Sequence, residues 1–291
     1  MVYDSVVIGK GPAGITAGVY IKRANKSVLI IGKDGGALEK TDKIENYYGF
    51  GKISGKELLQ RGIEQAVQLG IDVVTDEVVS IKFGENDEAR YIVKTRNREY
   101  MAKTIILATG TSRKQPDIKG IKEYEGKGVS YCAVCDAFFY RNKDVAVLGG
   151  GDYAFSEATE LLPMAKSVTL LTDGQEPVQN RSIETDKIKI NQKQIAEFRG
   201  GTSINQVKFA DNTNLDIQGV FIAIGTASSS DLAKKLGVIV QNNQIVVNEK
   251  METNVPAIYA CGDCTGGLLQ ISKSIHEGTI AGLEVIKYLK K

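Results

Sequence analysis

A short apolar strand that runs into Gly9-Lys10-Gly11-Pro12-Ala13-Gly14 and on into a helix leaves a chain few options, because strand and helix flank the three glycines as in a dinucleotide-binding βαβ unit. The alternative is a plain strand-turn-helix with packing glycines. Gly9 permits the tight turn, Gly11 lets backbone reach a pyrophosphate, and Gly14 lets helix and strand close up, while the helix N-terminus attracts the anion. Pro12 and Ala13 complete the turn. The unit continues through a helix to about Arg23 and a strand over Val28 to Ile31. The pattern then recurs: the strand Val145-Ala146-Val147-Leu148 turns through Gly149-Gly150-Gly151-Asp152-Tyr153-Ala154 into a helical stretch and the strand Ser167 to Leu171. Each copy also has a strand ending in a glycine turn, Ala108-Thr109-Gly110 in the first and Ala223-Ile224-Gly225 in the second. Gly9 and Gly110 are 101 residues apart and Gly149 and Gly225 only 76, so the second copy is trimmed.

With 291 residues, two such copies imply two domains, each with its own core. The fold class expected is α/β, with two Rossmann-like domains. Between the glycine turns lies Cys132-Ala133-Val134-Cys135-Asp136, and Gly149 follows 14 residues after Cys135. Thiols this close can open and close as one disulfide, and Asp136 offers a proton to a departing thiolate. A second C-x-x-C, Cys261-Gly262-Asp263-Cys264, raises a four-cysteine zinc site. Cys135 and Cys261 are 126 residues apart, far beyond a compact zinc ribbon, so no metal is expected. Cys261 and Cys264 are read as packing residues or, more sharply, as an auxiliary redox pair. The segment around them reads as a strand, a Gly262-Asp263 turn suited to a sugar hydroxyl, and a helix from about Gln270 to Leu289. His276, the single histidine, sits near the start of that helix.

No apolar run approaches the length that spans a bilayer. Met1 leads within a few residues into strand-like sequence, so no leader peptide is expected and the four cysteines are expected to work in a reducing cytoplasm. A net charge of +2 favours acidic protein partners over a nucleic-acid role.

The order of residues 9–14, Ala108-Thr109-Gly110, the Cys132/Cys135 pair, residues 149–154 and Gly262-Asp263 resembles that of the low-molecular-weight thioredoxin reductases, over essentially the whole chain. The resemblance implies FAD/NAD(P)-binding domains of the three-layer ββα type, the second inserted in the first. An FAD-binding domain would span 1–111 and 235–291, and a redox-disulfide domain 112–234. Further matches are residues 44–50, which include Asn46, and Gly278. By the same resemblance Gly36, Ala37, Leu38, Asn46, Gln270 and Ile271 join the glycine turns as FAD contacts. Cys135 would face the flavin, Cys132 would attack the disulfide of thioredoxin, and Asp136 would be the general acid. Family members are usually homodimers.

The family's nicotinamide domain carries arginines after its second strand, to grip the 2′-phosphate of NADPH. Here that strand ends Leu171-Thr172-Asp173-Gly174, Tyr153 stands in the phosphate turn, and Gln175-Glu176-Pro177 adds no cation. Asp173, 24 residues after Gly149, could read the ribose of NADH. The departures are more similar to the ferredoxin-dependent flavin thioredoxin reductases, which lack a nicotinamide site; Lys187, Lys189, Lys193 and Arg199 would then meet an acidic ferredoxin, unless they are only a solvated face. The first domain departs as well, with Gly32 where an acidic ribose ligand is common, Ala37 for a glutamine, and Leu269 for an arginine. The expected activity is therefore thioredoxin reduction fed by ferredoxin, with NADH or NADPH as alternative donors and a non-catalytic flavin redox sensor as the rival from another class.

Overall fold

The computed structural model describes residues 1–39, 41–86, 88–110, 116–131, 133–178, 187–225 and 229–290, with Val134, Cys135, Ser229 and Ser230 described by their backbone. The chain forms two compact units, Met1–Arg113 with Ser228–Lys291, and Lys114–Ala227.

The first unit begins with β1 (Val2–Ile8), α1 (Pro12–Arg23) and β2 (Val28–Ile31), followed by α2 (Gly36–Glu39), α3 (Gly55–Gln68), β3 (Asp72–Val74), β4 (Val78–Phe83), β5 (Tyr91–Thr95) and β6 (Glu99–Leu107). Strands β3, β2, β1 and β6 lie parallel in that order. The nine-residue β6 serves two layers, because its first half pairs antiparallel with β5 and β5 pairs with β4. Helix α3 starts at Ser54, whose hydroxyl accepts from the Glu57 amide at 3.1 Å, a side-chain N-cap.

The second unit holds β7 (Val129–Ser130), α4 (Ala133–Asp136), β8 (Asp144–Leu148), α5 (Asp152–Leu161), β9 (Ser167–Leu171), β10 (Ile188–Asn191), β11 (Ile195–Gly200), β12 (Ile204–Phe209), β13 (Asn214–Asp216) and β14 (Gly219–Ile222). Five of these strands make a parallel sheet in the order β10, β9, β8, β14, β7. Strand alternation divides its faces: Val145 and Val147 bury against Phe155, Ala158 and Leu161 of α5, whereas Ala146 and Leu148 face Phe198, Val207 and Phe209 of the antiparallel β11–β13 sheet. Helix, parallel sheet and antiparallel sheet are the three layers expected of this fold class.

The chain then adds α6 (Ser229–Lys235), β15 (Val240–Gln241), β16 (Gln244–Ile245), β17 (Ile258–Ala260) and α7 (Ile271–Tyr288) to the first unit. The expected return point, 235, lies at the far end of α6, which groups with the first unit through buried Leu232, Ala233 and Leu236. Strand β17 pairs parallel with the second half of β6. Helices α1 and α7 pack together and bury Ala17, Ile21, Ala281 and Val285 with Val7, Ile30 and Ile106 of the sheet. No helix among the described residues is long and apolar enough to cross a membrane.

Candidate functional site: a dinucleotide cradle and a cysteine turn

In the first unit the glycine turn is sterically locked. Gly9 has φ +119, and a Cβ there would sit 2.1 Å from the Ala108 carbonyl oxygen; one on Gly14 would sit 1.9 Å from the Gly9 oxygen. Gly11, in contrast, has nothing within 4 Å of its missing Cβ. It caps α1 without a side chain, with Pro12 as the first helical residue, so open space stands over the helix start where a pyrophosphate would lie. Ala13 is enclosed from the other side, since a Cβ on Gly278 would meet its carbonyl oxygen at 2.2 Å and one on Gly262 its Cβ at 2.9 Å. Sequence-distant residues therefore converge on the first turn of α1. Thr109 and Gly110 (φ +76) continue the chain from Ala108.

A cleft of about 590 Å³ opens beside Gly11 and Pro12 and is bounded by Leu38, Tyr47 and Ile271, a volume in the range of small-molecule sites. Gly36 (φ +61) and Ala37 lead into Leu38 through α2. Asn46 Nδ2 donates to Gln270 Oε1 at 3.3 Å, joining two predicted contacts that are 224 residues apart. Asp263 Oδ1 accepts from the Ser274 hydroxyl at 3.2 Å, which orients its carboxyl beside Gly262.

Cys261 and Cys264 are buried, and Cys264 Sγ lies 3.3 Å from the carbonyl oxygens of Leu107 and Cys261. Burial, with Cys264 and Glu277 adding to it, pushes the Cys261 thiol well above its ordinary value. The Cys261 thiol therefore has little thiolate character. His276 is exposed on α7. Among the described residues no group of three or more His, Cys, Asp or Glu side chains could hold a metal.

In the second unit the cysteine turn follows β7. Cys132 lies outside the described residues, and the backbone of Cys135 is helical, in α4. Asp136 closes that helix, and its Oδ2 accepts from the Ser130 hydroxyl at 2.6 Å. Burial, then the Asp136 charge, raises the Tyr140 phenol. Between them Phe138 and Phe139 stand 68% and 67% exposed, edge to face at 6.2 Å.

The second glycine turn repeats the first, with φ +148 at Gly149 and its missing Cβ 2.2 Å from the Ala223 oxygen. Its surroundings differ. The Val178 amide donates to the Gly150 oxygen at 2.7 Å, and Pro177 lies 3.7 Å from the Gly150 Cβ position, so the chain lies across its own glycine turn. Asp173 (φ +51) turns its carboxyl inward, where Oδ1 accepts from the Ile195 amide at 2.7 Å. Tyr153 corrects a sequence expectation. Its ring does not stand in the phosphate turn; it is 1% exposed, in the core with Ala133, Val147 and Phe221. One residue into α5, its side chain points down onto the sheet and the cysteine helix. Lys193 pairs with Asp211 at 2.8 Å and Arg199 with Glu197, whereas Lys187 and Lys189 are exposed.

The model of the pyridine nucleotide-disulphide oxidoreductases matches residues 3–278. The chain belongs to that family. Among curated relatives, the thioredoxin reductase of Bacillus subtilis is 34% identical over 305 aligned positions, covering 100% of this chain and 96% of the relative. Among solved structures, the atypical thioredoxin reductase TRi of Desulfovibrio vulgaris Hildenborough is 38% identical with a TM-score of 0.92, covering 99% of this chain and 98% of its own. A ferredoxin-flavin thioredoxin reductase from Clostridium acetobutylicum is 32% identical with a TM-score of 0.70, over 99% and 98% of the two chains.

Two features of this oxidoreductase escape sequence reasoning. Lys273 Nζ sits among the oxygens of Gly262 (2.9 Å), Thr265 (3.0 Å) and Gly266 (2.6 Å) and pairs with Glu277 at 3.0 Å, while Glu277 Oε2 accepts from the Gly262 amide at 2.8 Å. In sequence the two are an ordinary i,i+4 helix pair; in space they hold the Gly262-Asp263 turn. Lys10 is buried over Gly32 and donates to Thr75 Oγ1 at 2.8 Å. Only its place inside the glycine turn hinted at a special position.

Proposed function

We propose that the chain is an FAD-dependent thioredoxin reductase of the cytoplasm, a homodimer that takes its electrons from reduced ferredoxin. The residues present fit FAD: Gly11 leaves room for a pyrophosphate at the start of α1, and the adjoining cleft carries Pro12, Leu38 and Ile271. Gly9, Ala13, Gly14, Ala108 to Gly110, Gly36, Ala37, Asn46, Gly262, Asp263 and Gln270 complete the proposed contacts. The chemistry supplied by bound FAD is the conversion of single-electron deliveries into the two-electron reduction of a disulfide.

Cys132 as thiolate attacks one sulfur of the thioredoxin disulfide, that S–S bond breaks, and the departing thiolate takes a proton from Asp136, whose carboxyl is held by Ser130. Cys135 then attacks Cys132 in the mixed disulfide, its thiol proton passing to the second thioredoxin sulfur as that sulfur leaves, so thioredoxin is released as a dithiol and Cys132–Cys135 is left oxidised for the next reduction. Exposed Phe138 and Phe139, directly after the cysteine helix, offer the aromatic anchors that a protein partner buries.

The observation that carries the choice of donor is the Gly150 turn. Backbone of residues 177 and 178 lies across it, and Asp173 spends its carboxyl on the Ile195 amide instead of presenting it to a ribose. The deciding experiment follows flavin absorbance anaerobically after addition of NADPH, NADH, or ferredoxin with a ferredoxin-reducing system. Bleaching by ferredoxin alone, with reoxidation by catalytic thioredoxin, is expected. Rapid bleaching by either nicotinamide overturns the donor, and bleaching without thioredoxin turnover favours a redox sensor.

A further inference from the structure

We infer that Glu157 is a positioning residue for the cysteine pair, and that α5 has become the seat on which the redox turn is held. In a dinucleotide fold, the helix behind the glycine turn aims its N-terminus at a pyrophosphate. Here the same helix meets the cysteine segment. Glu157 is 1% exposed, and its Oε2 accepts from the backbone amide of Ala133 at 2.8 Å. That amide opens α4 and directly follows Cys132 in the chain. Four residues earlier on the same helix face, the ring of Tyr153 packs with fully buried Ala133 in one apolar cluster. Ala133 thus rests on two points of α5, an apolar ring and a carboxyl oxygen.

Glutamate is rarely buried so completely without a bonding task, and the bond to Ala133 is such a task. It fixes the backbone of Ala133, the first of the two residues between Cys132 and Cys135. A disulfide forms only within a narrow range of Cα separations, and a restraint on the Ala133 backbone removes conformations that the open dithiol would otherwise gain, which favours the closed disulfide. The acceptor on Glu157 thereby sets the balance between the two forms. This rests on the reading of Cys132 and Cys135 as an exchanging pair, but on neither the electron donor nor the protein partner.

The test equilibrates FAD-loaded protein anaerobically in dithiothreitol redox buffers, traps thiols by alkylation and reads the Cys132/Cys135 peptide by mass. Glu157→Ala is expected to lower the disulfide-forming constant about tenfold, a shift of about 30 mV to a less negative potential. Glu157→Gln keeps a carbonyl oxygen for the Ala133 amide and is expected to restore the wild-type constant. Should Glu157→Ala fail to fold, Glu157→Asp withdraws the acceptor by one methylene and is expected to show the same shift. A potential that stays at the wild-type value while the melting temperature falls overturns the inference and leaves Glu157 a core polar group. A shift that Gln does not restore overturns it too, since charge and not the acceptor would then set the balance. Failure to reduce thioredoxin would overturn the proposed function without touching this measurement.

Discussion

Gly278→Ala is the sharpest probe of the cradle. The added Cβ would lie 2.2 Å from the Ala13 carbonyl oxygen and 3.1 Å from its Cα, both backbone atoms of α1. Ordinary contact begins near 3.4 Å, so α7 must retreat by about 1.2 Å, the difference between 3.4 and 2.2 Å. Overpacking against atoms that cannot rotate away costs about 3 kcal/mol, and alanine returns about 1 kcal/mol of helix propensity. The net loss of about 2 kcal/mol corresponds to a drop of about 4–8 °C in melting temperature for a unit of this size. Ala13 stands at the start of α1, so a similar displacement expressed in binding weakens FAD about thirtyfold. The assay is a thermal melt with a fluorescence titration of the apoprotein. Gly62→Ala is the control, because its Cβ meets only Ile15 Cγ2 at 3.6 Å and the propensity gain stands unopposed. If Gly278→Ala melts at or above wild type with unchanged FAD affinity, the close approach of α7 to the glycine turn does not matter as argued.

Removing both aromatic rings, Phe138→Ala with Phe139→Ala, is expected to raise KM for thioredoxin about thirtyfold and leave reduction of the cysteine pair by the donor unchanged; an unaltered KM would remove the docking role. Cys261→Ala with Cys264→Ser is expected to keep thioredoxin reduction at the wild-type rate, since burial keeps the Cys261 thiol protonated, and a lost turnover would establish an auxiliary redox pair. Asp4 tests the fold's acid response. Burial pushes its carboxyl up, but the Ser27 amide and hydroxyl and the Lys103 ammonium outweigh that and hold it below the usual range. A depressed carboxyl contributes stability above its unfolded value and loses it as pH falls through its folded one. Asp4→Asn should therefore melt lower than wild type near neutrality and converge with it in acid; a gap that persists at low pH would point to another cause.

The periodic and punctuated parts of this fold are legible in the sequence. Val28–Ile31 and Ser167–Leu171 are strands over the residues that composition marks, and the two glycine turns adopt the same positive-φ contact with a following strand end. Such features are local, fixed by what glycine permits and by an alternation of two. Tyr153 shows where locality ends, because a bulky residue in a glycine turn reads as an obstruction until α5 is seen to rotate it into the core. Glu157 and Lys273 are also invisible in sequence. Each looks like a solvated helix residue, and each is decided by backbone groups that another segment brings to it. The antiparallel layers, β4–β5 and β11–β13, fall in stretches whose alternation is too short to assign without their partners.

The pairing of β17 with β6 and of α7 with α1 has a consequence for biosynthesis. Leu107 ends β6, whereas the helix that covers α1 finishes at Tyr288, after a further 181 residues. At about 5–20 residues per second, roughly 10–35 s of translation pass before the first unit can close. Through that interval Ala17 and Ile21 have no covering helix and the β17 edge of β6 has no neighbour. The nascent chain thus carries this apolar face and open strand edge until α7 has been made. A premature stop anywhere before α7 leaves a cradle without its lid of packing, however complete the inserted unit has become.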